Sequence, residues 1–302
     1  MAELMKKSMG EPNLFFVVRS LRNLFQRFRQ SLFRGLSWFF GKKFNTHQTK
    51  VALVVAPHPD DEAFGLGGLL ANLALRSSGL HSSSKCYVVF VTSGGASHLG
   101  CCKMSVQVLG ERRELVARKC ADMLGVRQQN IRFLRLQDGQ IPHFPEPGFD
   151  SLVGMLLDLI NEIRPDTLFV PHPLEGWADH EAATAAVMAA VSRVKTMLPA
   201  NSSACLVNLK IYYYCVWFWH SLPLRVGARL RWRDAITFNL VDKGGPDPIA
   251  KSSESYMKIK RAAVQLYLED RCECGKPTCG NLPPQFLSAF DWDHELFFPA
   301  DP

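Results

Sequence analysis

Long apolar runs are absent from this sequence of 302 residues. No run reaches the roughly 18 residues that a bilayer-spanning helix needs. The early apolar stretch LFFVV, at 14–18, is shorter than the core of a secretory signal and leads directly into Arg19. We therefore expect neither a membrane-spanning helix nor a secretory signal in these residues.

A disulfide framework is also missing. The nine cysteines are an odd number, and they include the adjacent pair Cys101 and Cys102. Small secreted domains instead carry an even number of cysteines that pair within a short chain. We therefore expect mostly reduced thiols and a cytoplasmic location. Internal repeats and low-complexity tracts are not evident either.

Excess positive charge is lacking outside the first fifty residues. The whole chain carries a net charge of +7, residues 1–50 alone carry +8, and the remainder carries −1. The main body therefore lacks the basic surface of a nucleic-acid-binding domain, and we expect no nucleic-acid partner. Its 47% hydrophobic and 21% charged residues are ordinary for a globular protein.

The basic N-terminal segment has the pattern of an amphipathic helix, with a period near 3.6. The apolar arc consists of Leu14, Val17, Val18, Leu21, Leu24, Phe25, Phe28, Leu32, Leu36 and Phe39. The opposite arc consists of Arg19, Asn23, Gln26, Arg27, Gln30, Arg34 and Ser37. An Arg-rich, acid-poor helix of this kind is typical of peripheral attachment to an anionic membrane. A helix packed on the body or on another copy, and an organellar transit peptide, remain alternatives.

Strand and helix patterns alternate from residue 50 onwards. The predicted strands are 50–58, 86–94, 131–136 and 166–172, and the predicted helices are 62–78, 105–126, 149–165 and 180–194. This alternation predicts an α/β fold with a mostly parallel sheet covered by helices on both faces. We divide the chain into an N-terminal segment, 1–46, and a main domain, 47–302.

Acidic residues crowd the end of the first predicted strand. His58, Asp60, Asp61 and Glu62 fall within five positions, where like charges repel and enclosed carboxylates lose their hydration. We therefore expect a positive ion there. His58 and Asp61 together with His180 form a two-histidine, one-carboxylate set that leaves a zinc coordination position open for water. Asp60 is then free to act as a general base.

These motifs also have other interpretations. Either histidine alone is more simply structural, with Asp179 as the N-cap of the helix that His180 begins. The glycines of GLGG, at 65–68, do not have the spacing of a dinucleotide-binding loop, and HEAAT, at 180–184, is not a zinc-protease helix. The glycines instead predict a close approach of helix and strand.

Four motifs together resemble the PIG-L/LmbE family of N-acetylglucosamine-type deacetylases. They are PHPDDE (57–62), GERRELVARKCADMLGV (110–126), LQDG (136–139) and DHEAA (179–183), and the resemblance extends from about residue 50 to about residue 195. It implies a Rossmann-like fold and hydrolysis of an N-acyl amine, commonly an acetamido sugar, with Zn²⁺ or another divalent metal.

The resemblance also implies roles for individual residues. By motif position, His58, Asp61 and His180 are metal ligands and Asp60 is the general base. Glu62 is a supporting carboxylate, and we give the same role to Asp179.

The second metal-site motif departs from the family pattern. This chain reads WADH where the family usually reads HPDH, so Trp177 takes the place of a histidine that stabilises the oxyanion or protonates the amine. An indole donates a hydrogen bond but transfers no proton at neutral pH. Loss of such a group ordinarily costs on the order of 10²-fold in rate. His172, His143 and Glu175 are candidates to replace it.

Two later segments leave alternatives open. Residues 210–232 predict a buried strand followed by a loop at the site rim, or a second membrane-touching surface. Cys272, Cys274 and Cys279 either bind a second, structural zinc with a fourth ligand from elsewhere, or are free thiols in a Gly/Pro loop. The tail from Asn281 shows no helical or strand period.

The leading hypothesis is a zinc-dependent hydrolase at a membrane surface. It would remove an acyl group, most simply acetyl, from an amino-sugar-type substrate, which a membrane tether would suit if the sugar is lipid-linked. The competing hypothesis is a non-catalytic, membrane-associated binding protein on the same scaffold, which Trp177 favours.

Overall fold

The computed structural model describes residues 14–76, 85–197, 206, 208–218, 230–241 and 256–300. Its strands are β1 (Lys42–Lys43), β2 (Val51–Ala56), β3 (Lys85–Thr92), β4 (Ile131–Leu136), β5 (Thr167–Pro171), β6 (Lys210–Tyr214), β7 (Ile236–Asn239) and β8 (His294–Pro299). Its helices are α1 (Leu14–Phe40), α2 (Asp61–Arg76), α3 (Val106–Met123), α4 (Phe149–Ile163), α5 (Ala178–Met197), α6 (Tyr256–Glu269) and α7 (Pro284–Leu287).

The strands form a single mixed sheet in the order β1-β7-β8-β6-β5-β2-β3-β4. Strands β4, β3, β2, β5 and β6 pair in parallel, and β1 pairs in parallel with β7. Strand β8 runs antiparallel to both of its neighbours, β6 and β7. The predicted α/β fold with a mostly parallel sheet is confirmed, and the predicted body elements differ from the observed ones by a few residues at their ends.

Both faces of the sheet are covered, as strand β2 illustrates. Val54 and Ala56 belong to the core beneath α2, α3 and α6, whereas Leu53 and Val55 belong to the core beneath α4 and α5. A strand buried on both faces needs apolar residues at successive positions rather than at alternate ones. This requirement explains the continuous apolar run VALVVA.

The glycines of α2 permit the predicted close approach between helix and strand. A Cβ atom added to Gly65 would lie 2.5 Å from Cδ2 of Tyr214, a fully buried residue of β6. The hydroxyl of Tyr214 donates a 3.0 Å hydrogen bond to the carbonyl of Val55, which fixes the ring. Gly65 is therefore required by packing.

Helix α1 is confirmed as a helix, but part of its polar arc lies on the face attached to the body. Gln30 and Ser37 are buried there together with the apolar Phe33. By contrast, Leu24 and Phe28 of the apolar arc are 66% and 65% exposed. The helix is therefore packed on the body by a mixed face, unlike an ordinary surface helix, which buries its apolar arc.

Polar contacts with the C-terminal part of the chain explain this orientation. The side chain of Gln30 donates to the carbonyl of Gln285, next to Phe286 in α7. The Ser37 hydroxyl lies 2.7 Å from Nε2 of His294 in β8. Strand β1 follows α1 and joins the common sheet, and the division of the chain after residue 46 stays a prediction.

Five elements were not predicted from the sequence: β1, β7, α6, α7 and β8. Strand β8 is buried at five successive positions, so its residues HELFFP show no alternation of polar and apolar side chains. The strand predicted at the start of 210–232 is β6, while residues 219–229, with the predicted rim loop, lie outside the described residues. None of the helices in the described ranges is both long and apolar enough to cross a bilayer.

Candidate active site

The acidic cluster lies where the order of the strands reverses. From β2 the chain moves outward to β3 and β4 on one side, and then continues with β5 on the other side of β2. In open α/β sheets, ligands bind at this position, beyond the carboxyl ends of the strands. His58 and Asp61 follow β2, Asp138 follows β4, and Asp179 and His180 begin α5 after β5.

The three predicted metal ligands meet at this crevice. Oδ2 of Asp61 lies 3.4 Å from Nδ1 of His58 and 3.3 Å from Nε2 of His180. One ligand atom from each residue lies within 4.8 Å of the others, and all three residues are buried. The structure therefore brings together two distant segments of sequence as one candidate metal centre.

Glu175 determines which nitrogen of His180 faces the centre. Its Oε2 lies 2.6 Å from Nδ1 of His180. Its other oxygen accepts backbone hydrogen bonds from Val216 and Phe218. Nδ1–H of His180 therefore donates to Glu175, and the fully buried Nε2 has no hydrogen-bond partner. An unpaired buried lone pair beside a carboxylate oxygen fits a divalent metal.

His58 is oriented in the same way by two other carboxylates. Its Nε2 lies 3.0 Å from Asp179 and 3.1 Å from Asp138. The backbone amide of Gly139 donates to Asp179 and holds that carboxylate in place. With Nε2–H donating to these carboxylates, Nδ1 carries the lone pair on the side of Asp61, as a metal ligand requires.

Asp60 is held next to the candidate metal centre by Arg113. Nη2 of Arg113 lies 2.9 Å from Oδ2 of Asp60, and the same guanidinium donates to the carbonyls of Pro59 and Gly94. The φ angle of Asp60 is +126°, a region that residues with a side chain seldom adopt. The amide of Asp60 also donates to Glu62, whose other oxygen accepts the hydroxyl of Tyr267.

The pKa shifts in the cluster indicate that its buried carboxylates are not fully compensated by positive charge. Burial raises the pKa of Asp60 to about 8, although Arg113 acts in the opposite direction. Burial alone would lower the pKa of His180, but Asp61 and Glu175 raise it to about 9. The pKa of His58 is likewise raised well above its ordinary value, against the effect of burial, by carboxylates that include Asp138.

A cavity of about 410 Å³ opens beside these groups. One wall is aromatic: the rings of Trp177 and Trp217 stack with centroids 4.7 Å apart and planes 8° from parallel. Phe286 lies 4.3 Å from Trp217 on the other side. His58, Asp60, Asp61, Arg113, Asp138 and Asp179 line the polar part. The cavity thus combines a polar, titratable end with a flat apolar face.

Comparison with known families and proteins agrees with this geometry. Residues 53–191 match the family model of PIG-L, described as GlcNAc-PI de-N-acetylase. These residues are similar to a PIG-L domain over slightly less than half of the chain. They include most of β2, the strands β3 to β5, all three candidate metal ligands and Asp60.

Individual relatives were found both by sequence and by structure. A diacetylchitobiose deacetylase of Thermococcus kodakarensis is 28% identical over 164 residues, which are 53% of this chain and 55% of that protein. The chain thus matches about half the length of that curated relative.

Two solved structures share the fold over most of the chain. The N,N′-diacetylchitobiose deacetylase of Pyrococcus horikoshii has a TM-score of 0.52 at 17% identity and covers 84% of this chain and 85% of its own. A conserved protein of Thermus thermophilus has a TM-score of 0.54 at 19% identity, and the match covers 83% of this chain and 94% of that protein. At these identities the likeness establishes a common fold.

The candidates to replace the histidine that the family resemblance implies at position 177 occupy different places. Trp177 itself lines the cavity. Glu175 is bonded to His180, and His143 is half-buried with its backbone amide bonded to Glu146, away from the cavity lining. His172 is also absent from the lining.

His172 is packed among aromatic rings. Its ring lies 4.8 Å from Phe218, 5.3 Å from Phe298 and 5.4 Å from Tyr213. Its Nδ1 accepts the amide of Leu174. Burial lowers the pKa of His172 to about 3, so its imidazole is neutral at physiological pH.

Two residues that line or support the cavity have no role predicted from the sequence. Asp138 reaches His58 and lines the cavity, and Arg113 holds Asp60. The motifs that contain them, LQDG and GERRE, were recognised as part of the family resemblance. The position of Asp138 directly after a parallel strand was a further signal, because such positions converge on the same crevice.

Proposed function

We propose that the protein is a metal-dependent hydrolase that removes an N-acyl group, most simply acetyl, from an amino-sugar-type substrate. The observation that carries this proposal is the unpaired, buried Nε2 of His180, which faces Asp61 and lies near Nδ1 of His58. The match to the PIG-L family and the printed activity of the Thermococcus kodakarensis relative support the substrate class.

The proposed metal ligands are His58, Asp61 and His180. When bound, a divalent ion supplies a Lewis acid for the amide carbonyl and lowers the pKa of water. The side chains that hold the two histidines through their other nitrogens, Glu175 and Asp179 among them, fix the ring orientations.

Asp60 is the proposed general base. It lines the cavity beside the proposed ligands, and the buried ion pair with Arg113 fixes its position. Asp60 accepts the proton of the attacking water and then delivers it to the departing nitrogen as the C–N bond breaks. The products are a free amine and a carboxylate.

The aromatic wall suits one face of a pyranose ring. Trp177 and Trp217 present flat apolar surface next to the polar end of the cavity, the combination that sugar-like ligands with apolar and polar sides require. Trp177, which stands where the family has a histidine, thus serves in substrate contact in this proposal.

Substitution of Asp60 tests the catalytic proposal. Asp60→Asn should retain the metal and lose about 10²–10⁴-fold in kcat, because the base is gone while the ligands remain. His180→Ala should lose the metal as well. Asn also tolerates a positive φ better than most residues do. The measurements are amine release from N-acetylglucosamine derivatives and metal content by mass spectrometry.

The exposed residue Asp158 of α4 offers a matched control, because Asp158→Asn makes the same chemical change far from the cavity lining. Full activity of Asp60→Asn would refute the role of the base. A protein that binds metal but releases no amine from any N-acetylated sugar would favour the competing hypothesis of a non-catalytic binding protein.

We further propose that α1 attaches the protein to an anionic membrane and that the acetamido sugar is lipid-linked. The large apolar side chains Leu21, Leu24, Phe25, Phe28 and Leu32 are between 47% and 66% exposed. Exposed cations lie beside them on α1 and at its end, at Arg27, Arg34, Lys42 and Lys43. An apolar stripe with flanking cations is suited to the headgroup region.

The position of α1 relative to the cavity supports a substrate at the membrane surface. Gln30 of α1 is bonded to Gln285 of α7, and the next residue, Phe286, lines the cavity. Helix α7 therefore connects the proposed membrane-binding helix to the aromatic wall.

Vesicle flotation tests the attachment. The protein should float with anionic vesicles, and Leu24→Ser combined with Phe28→Ser should reduce this binding about tenfold or more, since each exposed side chain loses its burial in lipid. Leu115→Ser is the control, because Leu115 of α3 is 61% exposed but lies outside α1. Equal flotation of all variants would refute the membrane attachment. The proposal of a lipid-linked substrate would be refuted if the α1 variant hydrolysed lipid-linked and soluble acetamido sugars with the same ratio of rates as the wild type.

A further inference from the structure

A second cluster of metal-binding side chains lies outside the proposed catalytic centre. It joins the loop after β3, with His98, Cys101 and Cys102, to the loop after α6, with Cys272 and Cys274. The two loops are about 170 residues apart in sequence. The fold alone brings them together.

The cysteine set predicted from the sequence is corrected by this arrangement. Cys272 and Cys274 belong to the cluster, but Cys279 does not: its thiol lies 3.5 Å from the carbonyl of Tyr267 and it lines the catalytic cavity. Cys102 and His98 from the distant loop take its place, because that loop lies against residues 272–274.

The two distances from His98 are close to those of groups that bind one metal ion, whereas the distance between the two sulfur atoms is shorter. Nδ1 of His98 lies 3.5 Å from Sγ of Cys274 and 3.8 Å from Sγ of Cys102. Sγ of Cys102 lies 3.0 Å from Sγ of Cys272. In a tetrahedral zinc site the Zn–S bonds are about 2.3 Å and the Zn–N bonds about 2.0 Å long, which places neighbouring ligand atoms between roughly 3.5 and 3.8 Å apart.

The tautomer of His98 also fits a metal ligand. Its Nε2 lies 2.7 Å from the carbonyl of Pro277, which only accepts hydrogen bonds, so Nε2 carries the hydrogen. The lone pair is then on Nδ1, which faces the thiols. A histidine that ligates a metal with one nitrogen and donates to a carbonyl with the other is the usual arrangement.

We propose that His98, Cys102, Cys272 and Cys274 form a structural zinc site. Three thiolates and one imidazole complete a tetrahedral set and leave no position for substrate, unlike the catalytic centre. Soft thiolate ligands select zinc over magnesium or calcium. Cys101 is exposed, and its Sγ lies 3.1 Å from Nδ1 of His98 and 3.9 Å from Sγ of Cys274; as a fifth candidate it is the surplus thiol of this ligand set.

The proposed zinc site would join two loops that form one wall of the catalytic cavity. Ala96, Ser97 and Leu99 of the first loop line the cavity, as do Cys279 and Gly280 of the second. Within the described residues, the two loops are also joined by the Ser97 hydroxyl, which donates to the carbonyl of Thr278 over 2.7 Å. Zinc would therefore hold the cavity wall together without contacting substrate.

Metal content and absorption spectra of the full chain test the proposal. Cys274→Ser should contain one zinc equivalent fewer than the wild type, and so should Cys272→Ser. In Co²⁺-substituted protein, thiolate-to-metal charge-transfer bands should be present in His180→Ala, which retains this site, and lost in Cys274→Ser. Because Cys274 is exposed, its substitution removes a ligand without opening a cavity in the core.

Cys101→Ser is the matched control and should keep both the zinc and the charge-transfer bands. Unchanged zinc content in Cys274→Ser and Cys272→Ser would overturn the proposal, and so would a Cys102–Cys272 disulfide in protein purified without oxidant. Loss of zinc in Cys101→Ser would overturn this ligand set. The test is independent of the catalytic proposal, because the bands depend on thiolates and the catalytic centre contains none.

Discussion

Trp177 combines two properties that are rarely found at one residue of a buried site. Its ring is stacked on Trp217, yet 43% of the residue remains exposed at the cavity. A stacked indole is held in place by its partner ring, and the exposed part of Trp177 is available for contact with a ligand in the cavity. A contribution of about 0.5–1.5 kcal/mol from such stacking corresponds to roughly 2–12-fold in binding.

Substitution of Trp177 separates stacking from hydrogen bonding. Trp177→Phe should leave KM within about twofold of the wild-type value, because an aromatic face remains, whereas Trp177→Ala should raise KM by roughly 2–12-fold with little change in kcat. Steady-state kinetics on an N-acetylated sugar is the measurement. A KM of Trp177→Ala equal to that of the wild type would show that the substrate does not contact this ring.

His172 gives the protein a specific acid sensitivity. Burial lowers its pKa to about 3, from an ordinary value near 6.5, so the unfolded chain binds a proton that the folded protein does not. Folding stability should therefore decrease as the pH falls from about 6.5 towards 3, with a contribution of at most about 1.4 kcal/mol per pH unit. Above pH 6.5 this contribution is constant.

The comparison of wild type with His172→Asn isolates this effect, because Asn retains an acceptor for the amide of Leu174 but does not titrate. Urea unfolding between pH 4 and pH 8 should show the difference in stability between the two proteins changing below pH 6.5. A constant difference across that range would contradict the assignment.

At the residue scale, site residues that lie close together in the chain are easier to predict from the sequence than residues that lie far apart. His58, Asp60 and Asp61 are close in sequence, and His180 was predicted to join them because it begins a helix after another predicted strand. The cysteine cluster was only partly predicted, because spacing identifies thiols on one loop and not those on a loop 170 residues away. Asp138 received no role for the same reason.

Helix α2 depends on a buried ion pair from two other elements. The helix has a non-helical residue at Leu66, and the amides of Gly68 and Leu69 donate to the carboxylate of Glu295 in β8 over 2.8 and 2.9 Å. Lys260 of α6 lies 2.7 Å from the same carboxylate, and both side chains of the pair are almost completely buried. Glu295 therefore connects α2, α6 and the sheet.

Breaking this pair should destabilise the fold strongly. Lys260→Met should lower the free energy of unfolding by about 3–5 kcal/mol, because it leaves the charge of Glu295 buried without a counter-ion. The double variant Lys260→Met, Glu295→Gln should regain part of the loss. Lys258→Met, on the exposed face of α6, should change stability by about 0.5 kcal/mol or less. Denaturant unfolding measures all three, and equal effects at 258 and 260 would contradict the argument.

The elements from β2 to α5 followed from hydrophobic periodicity, since each is long enough to show a clear pattern. Strands β1 and β7 have two and four residues, too few for a period. For α1, the period predicted the helix but not the face by which it is attached. That face is set by Gln285 and His294, near the other end of the sequence.

At the scale of the whole molecule, metal and stability should be coupled. Buried or nearly buried carboxylates surround the catalytic centre: Asp60, Asp61, Glu62, Asp138, Glu175 and Asp179. A divalent ion that binds only the folded state offsets their repulsion. At a free concentration of 100 times its Kd, it adds about 2.7 kcal/mol to the stability.

Removal of metal by a chelator should therefore lower the thermal midpoint by about 5 °C, and added Zn²⁺ should restore it. Differential scanning calorimetry measures the shift. His180→Ala should respond less than the wild type does, because one of the metal sites is already lost. If the wild type had the same thermal midpoint with chelator as with added Zn²⁺, the coupling between metal binding and stability would be contradicted.

The attachment of α1 through polar side chains has a consequence for the order of events during synthesis. Gln30 and Ser37 leave the ribosome before their partners Gln285 and His294, which lie 255 and 257 residues further along the chain. Until those partners are made, this part of α1 lacks the surface that later covers it, while its apolar arc is already complete. If α1 binds lipid, it can do so before the catalytic domain has folded, and the nascent chain would be delivered to the membrane ahead of its own active site.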